Sequence, residues 1–404
     1  MPIDELVYDW NKVAVSQPAP KRRISFDDET LRDGLQSPSV CEPPVEKKIE
    51  LLHLMDALCI DTADIGLPGA GGTHAASVER LAREIAEQKL KIRPNCAART
   101  IAADIKPIAE ISQRAGIPIE ACTFIGSSPV RFYAEDWTLD RLLRITEEAV
   151  TFAVREGLPV MYVTEDTTRA DPETIRALYT TAIRSGARAL CVCDTVGHST
   201  PDGARAVTRF VKQIIEDEGE PVRLDWHGHQ DRGLGVINSI AAIEGGADQV
   251  HGSALGVGER VGNTPMDQLL VNLKLMNWID NDLSRLGEYC EVAAASCGWT
   301  IPYNYPVFGR DAFRTATGVH AAAVIKSYRK GDPGLADLVY SGVPAGLFGL
   351  KQKIEIGPMS GKSNVIYWLE SRGFEADAER VTRIYEHAKQ ANAVLEEDEV
   401  MQLV

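Results

Sequence analysis

The 404-residue chain lacks several features that would each have set its class. It has no run of roughly 18 apolar residues, so no stretch reads as a membrane span. It lacks a charged-then-apolar start, so no secretory signal peptide is expected. It lacks a basic excess: 43 Lys and Arg stand against 58 Asp and Glu, a net charge of -15. That removes the electrostatic footprint a nucleic-acid partner needs. It also lacks any Cys-x-x-Cys pair. Cys96, Cys122, Cys191 and Cys193 fall in apolar, strand-like runs, where thiols are usually buried and reduced, so a cytoplasmic protein is expected. Cys191 and Cys193 share one strand face, but with no second pair they make a poor zinc site. There is no low-complexity tract, and the acidic tail "LEEDEV" reads as a solvated helix end.

What is present is apolar material, 44% of the chain, laid out with a repeat. From residue 24 a short apolar run is followed by a longer stretch of helical period. Strands are expected to begin near Ile24, Thr62, Ile92, Ile119, Val160, Ala189, Val222 and Gln249. Between them lie amphipathic segments such as "LDRLLRITEEAVTFAVREG", whose Leu139, Leu142, Leu143, Ile145, Ala149, Val150 and Ala153 fall largely on one helical face. Pro172 and Pro201 stand where a helix start needs no N–H, and Gly186 suits a left-handed cap. Eight strand-then-helix units in about 250 residues point to an α/β fold, a closed (β/α)8 TIM barrel. An open doubly wound sheet is the alternative. It wants a Gly-x-Gly-x-x-Gly turn, and the crowded "IGLPGAGGTH" matches poorly. The expected organisation is an N-terminal extension over 1–22, the barrel over 23–280, and mostly helical C-terminal subdomains over 281–404.

In such a barrel the chemistry sits where strands end. Strand seven, "VRLDWHGH", carries His227 and His229 at that end. Residues two apart on a strand point the same way, so both imidazoles face one point. The bland reading is a pair of polar residues bonded to neighbouring loops. The sharper one is a metal site, which needs a carboxylate as well. Strand one, "ISFDDETLRDGLQ", offers Asp27, Asp28, Glu29, Arg32, Asp33 and Gln36. Asp33 is the candidate third ligand, and Arg32 would oppose a developing negative oxygen. After strand eight, "ALGVGERVGN" brings backbone close to a ligand, and Asn263 adds an oxygen ligand or holds a metal-bound water. Strands five and six end in "TEDTTR" and "CDTVGHS", adding Glu165, Asp166, Asp194 and Thr195.

"TLRDGLQ", "HGHQDRGLGVINS" and "GVGERVGN" together resemble the DRE-TIM metallolyases, and the likeness runs from about residue 22 to 390. Within them the chain is most similar to the isopropylmalate, citramalate and homocitrate synthases. The resemblance implies a divalent metal (Mg2+, Mn2+ or Zn2+) held by Asp33, His227 and His229, with Asn263 close by. It implies acetyl-CoA as cosubstrate and a 2-oxo acid as acceptor, with Arg32 polarising the keto oxygen and Glu165 among the catalytic set. Gln36, Arg131, Thr195 and Asn263 become candidate substrate contacts. "PVFGRDAFRTATGVH" and "LADLVY" resemble the subdomains that supply a histidine and a tyrosine to the partner subunit of a homodimer. The matching residues are His320 and Tyr340. The regulatory domain of leucine-inhibited relatives has no counterpart, so that feedback is not expected, whereas a cytoplasmic role in leucine biosynthesis is.

Two departures stay open. Isopropylmalate synthases usually have histidine where Arg131 stands. A guanidinium there implies either an oxo acid with a second anionic group or an ion pair with Glu135. "RDGLQ" also fits hydroxymethylglutaryl-CoA lyase, whose strand-eight loop carries a cysteine that "GVGERVGNTP" lacks. A non-catalytic barrel that binds metal or CoA is the reading outside enzymes.

Overall fold

A computed structural model describes residues 6–13 and 20–404. Eight parallel strands close into one barrel: β1 (Ser25–Asp28), β2 (Thr62–Asp64), β3 (Arg93–Arg99), β4 (Glu120–Gly126), β5 (Val160–Glu165), β6 (Ala189–Asp194), β7 (Arg223–Gly228) and β8 (Gln249–Gly252). Each begins within a residue of the position expected from the apolar runs. Closure is the pairing of β1 with β8, Asp27 opposite His251 and Asp28 opposite Gly252. The open-sheet alternative is thereby excluded.

The helices start and stop for local reasons. Asp171 and Thr200 cap the helices Pro172–Ser185 and Pro201–Glu218, accepting from the N–H groups of Thr174 and Gly203, with Pro first in each. Gly186 ends the former at φ +110°, a left-handed conformation that favours glycine. The helix Leu139–Arg155 turns Leu142, Thr146, Ala149, Val150 and Ala153 inward.

The chain divides into two compact units. One spans 17–300 and contains the barrel together with the helix Leu286–Cys297. The other holds residues 301–404 with the described part of the N-terminus. Its core is Ile356, Val365, Trp368, Leu369, Val381 and Ile384, and a two-strand parallel pair joins Lys353–Ile354 to Arg314–Thr315. Among the described residues no helix is long and apolar enough to cross a membrane.

Candidate metal centre and active-site cavity

The C-terminal ends of the strands surround a cavity of about 230 Å3. Arg32, Asp33, Gln36, Glu165, Thr195, His227 and His229 all line it, so seven residues singled out in the sequence come together. At its centre, His227 Nε2 lies 3.2 Å from His229 Nε2 and 3.3 Å from Asp33 Oδ2, with Asp33 and His229 3.6 Å apart. All three residues are buried.

Two features fit this triad to a cation. Asp33 Oδ2, His229 Nδ1 and both carboxamide atoms of Asn263 are buried without a hydrogen-bond partner among the described residues. Asn263 is held beside them, since its backbone bridges His229. That approach depends on Gly262, at φ +97°, where an added Cβ would fall 1.8 Å from the carbonyl oxygen of Gly256. The second feature is electrostatic. Burial disfavours charge on each group, yet Arg32 and the imidazoles hold the Asp33 carboxyl well below the usual range. Burial also lowers His227, but the nearby carboxylates of Asp33 and Glu29 overcome it and raise the imidazole to about 10. Burial and the neighbouring His227 charge push His229 down to about 4. Oxygen and imidazole donors with one side open suit Mg2+, Mn2+ or Zn2+.

Arg32 is fixed from two sides. Its Nε donates to Asp64 at 2.8 Å, and a terminal nitrogen donates to Glu29 at 2.5 Å. Asp64 was not singled out from the sequence. Burial, only partly offset by Arg32 and reinforced by Glu29 and Asp27, raises it to about 8. Glu165, across the cavity, is pushed up by burial against the pull of Arg131 and Arg32. Thr195 accepts from the Asp166 N–H.

Other expectations sort differently. Asp27 and Asp28 are neighbours, but only Asp27 joins the interior network. Asp28 accepts from the Thr30 N–H and from the Tyr289 hydroxyl. Asp166 binds Arg169, and Asp194 receives Thr168 Oγ1 and the N–H groups of His198 and Ser199. Both therefore serve their loops. Arg131 packs over Gly126 and pairs with Glu135 at 3.3 Å, its guanidinium half exposed and 5.5 Å from the Trp137 ring. The thiols of Cys191 and Cys193 approach to 3.8 Å, yet neither donor group that could hold a metal among the described residues contains cysteine. In the other unit, His320 and Tyr340 stack with ring centroids 4.2 Å apart, both exposed.

The remaining wall is apolar. Ala97, Cys122, Phe124, Met161, Val163 and Cys191 face the triad across the cavity. His251, Asp225 and Glu29 complete a buried network beneath it. The available signal for them was alternation: polar residues at 27 and 29, 225 and 227, and 249 and 251 share strand faces with the motif residues.

Comparison with known proteins agrees with this layout. Homocitrate synthase AksA of Methanopyrus kandleri is 30% identical over 365 residues, covering 90% of this chain and 86% of that protein. The 2-isopropylmalate synthase of Pyrococcus furiosus is 30% identical over 378 residues, covering 91% and 72%. The putative (R)-citramalate synthase CimA of Methanopyrus kandleri is 29% identical over 373 residues, covering 92% and 69%. In fold, the HMG-CoA lyase of Bacillus subtilis superposes with a TM-score of 0.58 at 19% identity, covering 70% of this chain and 97% of that one. The HMGL-like family matches residues 23–292. With the barrel closed and the motifs of β1, β7 and β8 converging in its mouth, the chain belongs to the HMGL-like family, the DRE-TIM barrels.

Proposed function

We propose that the chain catalyses a metal-dependent, Claisen-type condensation of acetyl-CoA with a 2-oxo acid. The enolate of the acetyl group attacks the keto carbon and water hydrolyses the thioester, so the products are a 2-substituted malate and CoA; the preferred member of the class is a 2-isopropylmalate synthase. The observation that carries this reading is the convergence of Asp33, His227 and His229 beside Arg32, opposite an apolar wall. The similar synthases named above support the reaction class.

A divalent ion held by Asp33, His227 and His229 supplies a Lewis acid for the keto group. Arg32, locked by Asp64 and Glu29, sets permanent positive charge beside the keto oxygen, where negative charge develops. Glu165 is raised by burial and so holds or yields a proton nearer neutrality than an exposed carboxyl does. Gln36, Thr195 and Asn263 hold the polar end of the oxo acid. His320 and Tyr340 act in a homodimer, each pair serving the partner subunit's barrel, where the methyl proton of the acetyl group is moved.

Ala97, Cys122, Phe124, Met161 and Val163 receive the side chain of the oxo acid. That wall offers hydrocarbon and thiol and no cation, which favours an aliphatic side chain. A diacid of the homocitrate type requires Arg131 to leave Glu135. The test is release of free thiol from acetyl-CoA on adding a 2-oxo acid. Release supports a synthase. Cleavage of a hydroxymethylglutaryl-type thioester to acetyl-CoA and a 3-oxo acid, with no free thiol, would make it a lyase, and binding without turnover would make it a non-catalytic barrel.

A further inference from the structure

His227 has two ring nitrogens, and Nε2 is the one that stands with Asp33 and His229. A ligating nitrogen carries no proton, so the ring proton has to stay on Nδ1. Glu29 faces that nitrogen, its Oε1 3.4 Å away. A carboxylate oxygen only accepts, so it favours a proton on Nδ1.

Glu29 is buried, and both of its oxygens are held. Oε2 receives a terminal nitrogen of Arg32 at 2.5 Å, and Oε1 accepts from Nδ1 of His251 at 3.1 Å. On the other side of that ring, Nε2 of His251 faces Asp225 at 3.2 Å. With a carboxylate at each nitrogen, the His251 ring donates from both and is cationic. Arg223 grips Asp225 through bonds of 2.8 and 3.0 Å and reaches Glu120, at the start of β4, at 2.8 Å. Charge therefore alternates along the line Glu120, Arg223, Asp225, His251, Glu29 and Arg32, the condition under which buried charge is tolerated. Metal-binding imidazoles commonly give their second N–H to such a carboxylate, which fixes tautomer and ring orientation.

We propose that Glu29 is a positioning residue for His227, and that His251, steadied by Asp225, holds Glu29 in place. Glu29 keeps the His227 proton on Nδ1 and so leaves Nε2 free to ligate beside Asp33 and His229. Arg32 is tied to the same carboxylate, so one side chain orients both the ligand and the cation that faces the keto oxygen. The inference rests on the proposed metal centre. It does not depend on which oxo acid is used.

Glu29→Gln tests it with little change of shape. An amide has one accepting oxygen, and the permanently charged Arg32 takes it. The amide nitrogen then faces Nδ1 of His227 and only donates, which drives the ring proton to Nε2, where it blocks ligation. The full chain is stripped with a chelator, and the Kd for Mn2+ is measured by calorimetry without substrate. Glu29→Gln is expected to raise it about 10- to 100-fold, while kcat at saturating Mn2+ and KM for acetyl-CoA stay within about 3-fold. His251→Gln removes the ring that spans Glu29 and Asp225, and should raise the Kd in the same direction by less. It carries the test should Glu29→Gln fail to fold. A role in stability alone would lower the melting midpoint and leave the Kd per folded chain unchanged, which overturns the proposal. Loss of kcat with an unchanged Kd overturns it too, as does a wild type that binds no Mn2+. A wild type that binds Mn2+ but releases no CoA, with binding weakened by Glu29→Gln, supports the positioning role and overturns the condensation instead.

Discussion

The segments from β7, β8, β1 and β2 line the cavity with imidazoles, carboxylates and a guanidinium, whereas β3 to β6 line it with methyls, thiols, a thioether and one aromatic ring, with Glu165 at the rim. The contrast is local. His227 and Cys193 are register partners on adjacent strands, yet one faces Asp33 and the other packs with Cys122 and Met161. A buried charge is tolerated only where opposite charges and donors surround it. Asp33 and Glu29 meet that condition because Arg32 reaches both, whereas at Asp64 burial and the neighbouring acids outweigh it. Under the proposed function, bond making falls to the charged half and the choice of oxo acid to the apolar half.

The largest expected effect comes from breaking the charged half. His229→Ala or Asp33→Asn removes a donor from the mouth and is expected to abolish thiol release while the far-ultraviolet dichroism is unchanged. Metal content and turnover are to be measured on the same sample. Activity that persists after chelation would break the assignment. Removing Arg32 comes next. Arg32→Met is expected to lower kcat about 10²- to 10³-fold, the scale of losing one preorganised electrostatic contact. A change confined to KM would make Arg32 a binding group.

How far the charged half extends along β1 can be sharpened by pH. Asp28 faces away from the cavity residues, and burial raises its carboxyl from 3.8 to about 6 despite the bonds from Thr30 and Tyr289. A raised folded-state value means the folded chain holds this proton more tightly. Stability is therefore full below pH 4 and is lost as pH rises through 6. Asp28→Asn avoids that loss, and its urea midpoint should exceed the wild type's at pH 7.5 by the equivalent of about 3 kcal/mol at most, and not at pH 4. Turnover per folded chain should not change.

The apolar half should respond in selectivity rather than rate. Val163→Ala enlarges the wall, and kcat/KM should shift toward longer aliphatic oxo acids by about 10-fold, the scale of one or two methylenes. Competition between substrates measures this ratio. Arg131→Ala is the smallest expected effect, under about 3-fold for any oxo acid, because an exposed pair such as Arg131–Glu135 is worth only a few tenths of a kcal/mol. A rise in KM confined to a diacid would place Arg131 in the substrate pocket.

Much of this was legible in the chain itself. Apolar runs located all eight strands, and the period of two placed His227 and His229 on one side. The DRE-TIM motifs led to Arg32 and Asp33. The Asp27–His251–Asp225 network was not legible, because a run of acids at a strand end looks the same whether it is solvated or buried. Only closure of β1 on β8 sets Asp27 opposite His251. Asp64 was missed for a similar reason: its value lies in its distance to Arg32, 32 residues earlier in the chain. Arg131 shows the converse. Its neighbour Glu135, one helical turn on, was visible in sequence and takes the guanidinium.

The division of the cavity is tested most directly by one ratio: kcat/KM for 2-oxoisovalerate over that for 2-oxoglutarate, read as CoA release by the metal-loaded enzyme. An apolar wall with no cation implies at least a 100-fold preference for 2-oxoisovalerate, since burying an unpaired carboxylate costs several kcal/mol, on the order of 3 or more. Equal rates, or a preference for 2-oxoglutarate, would contradict the account.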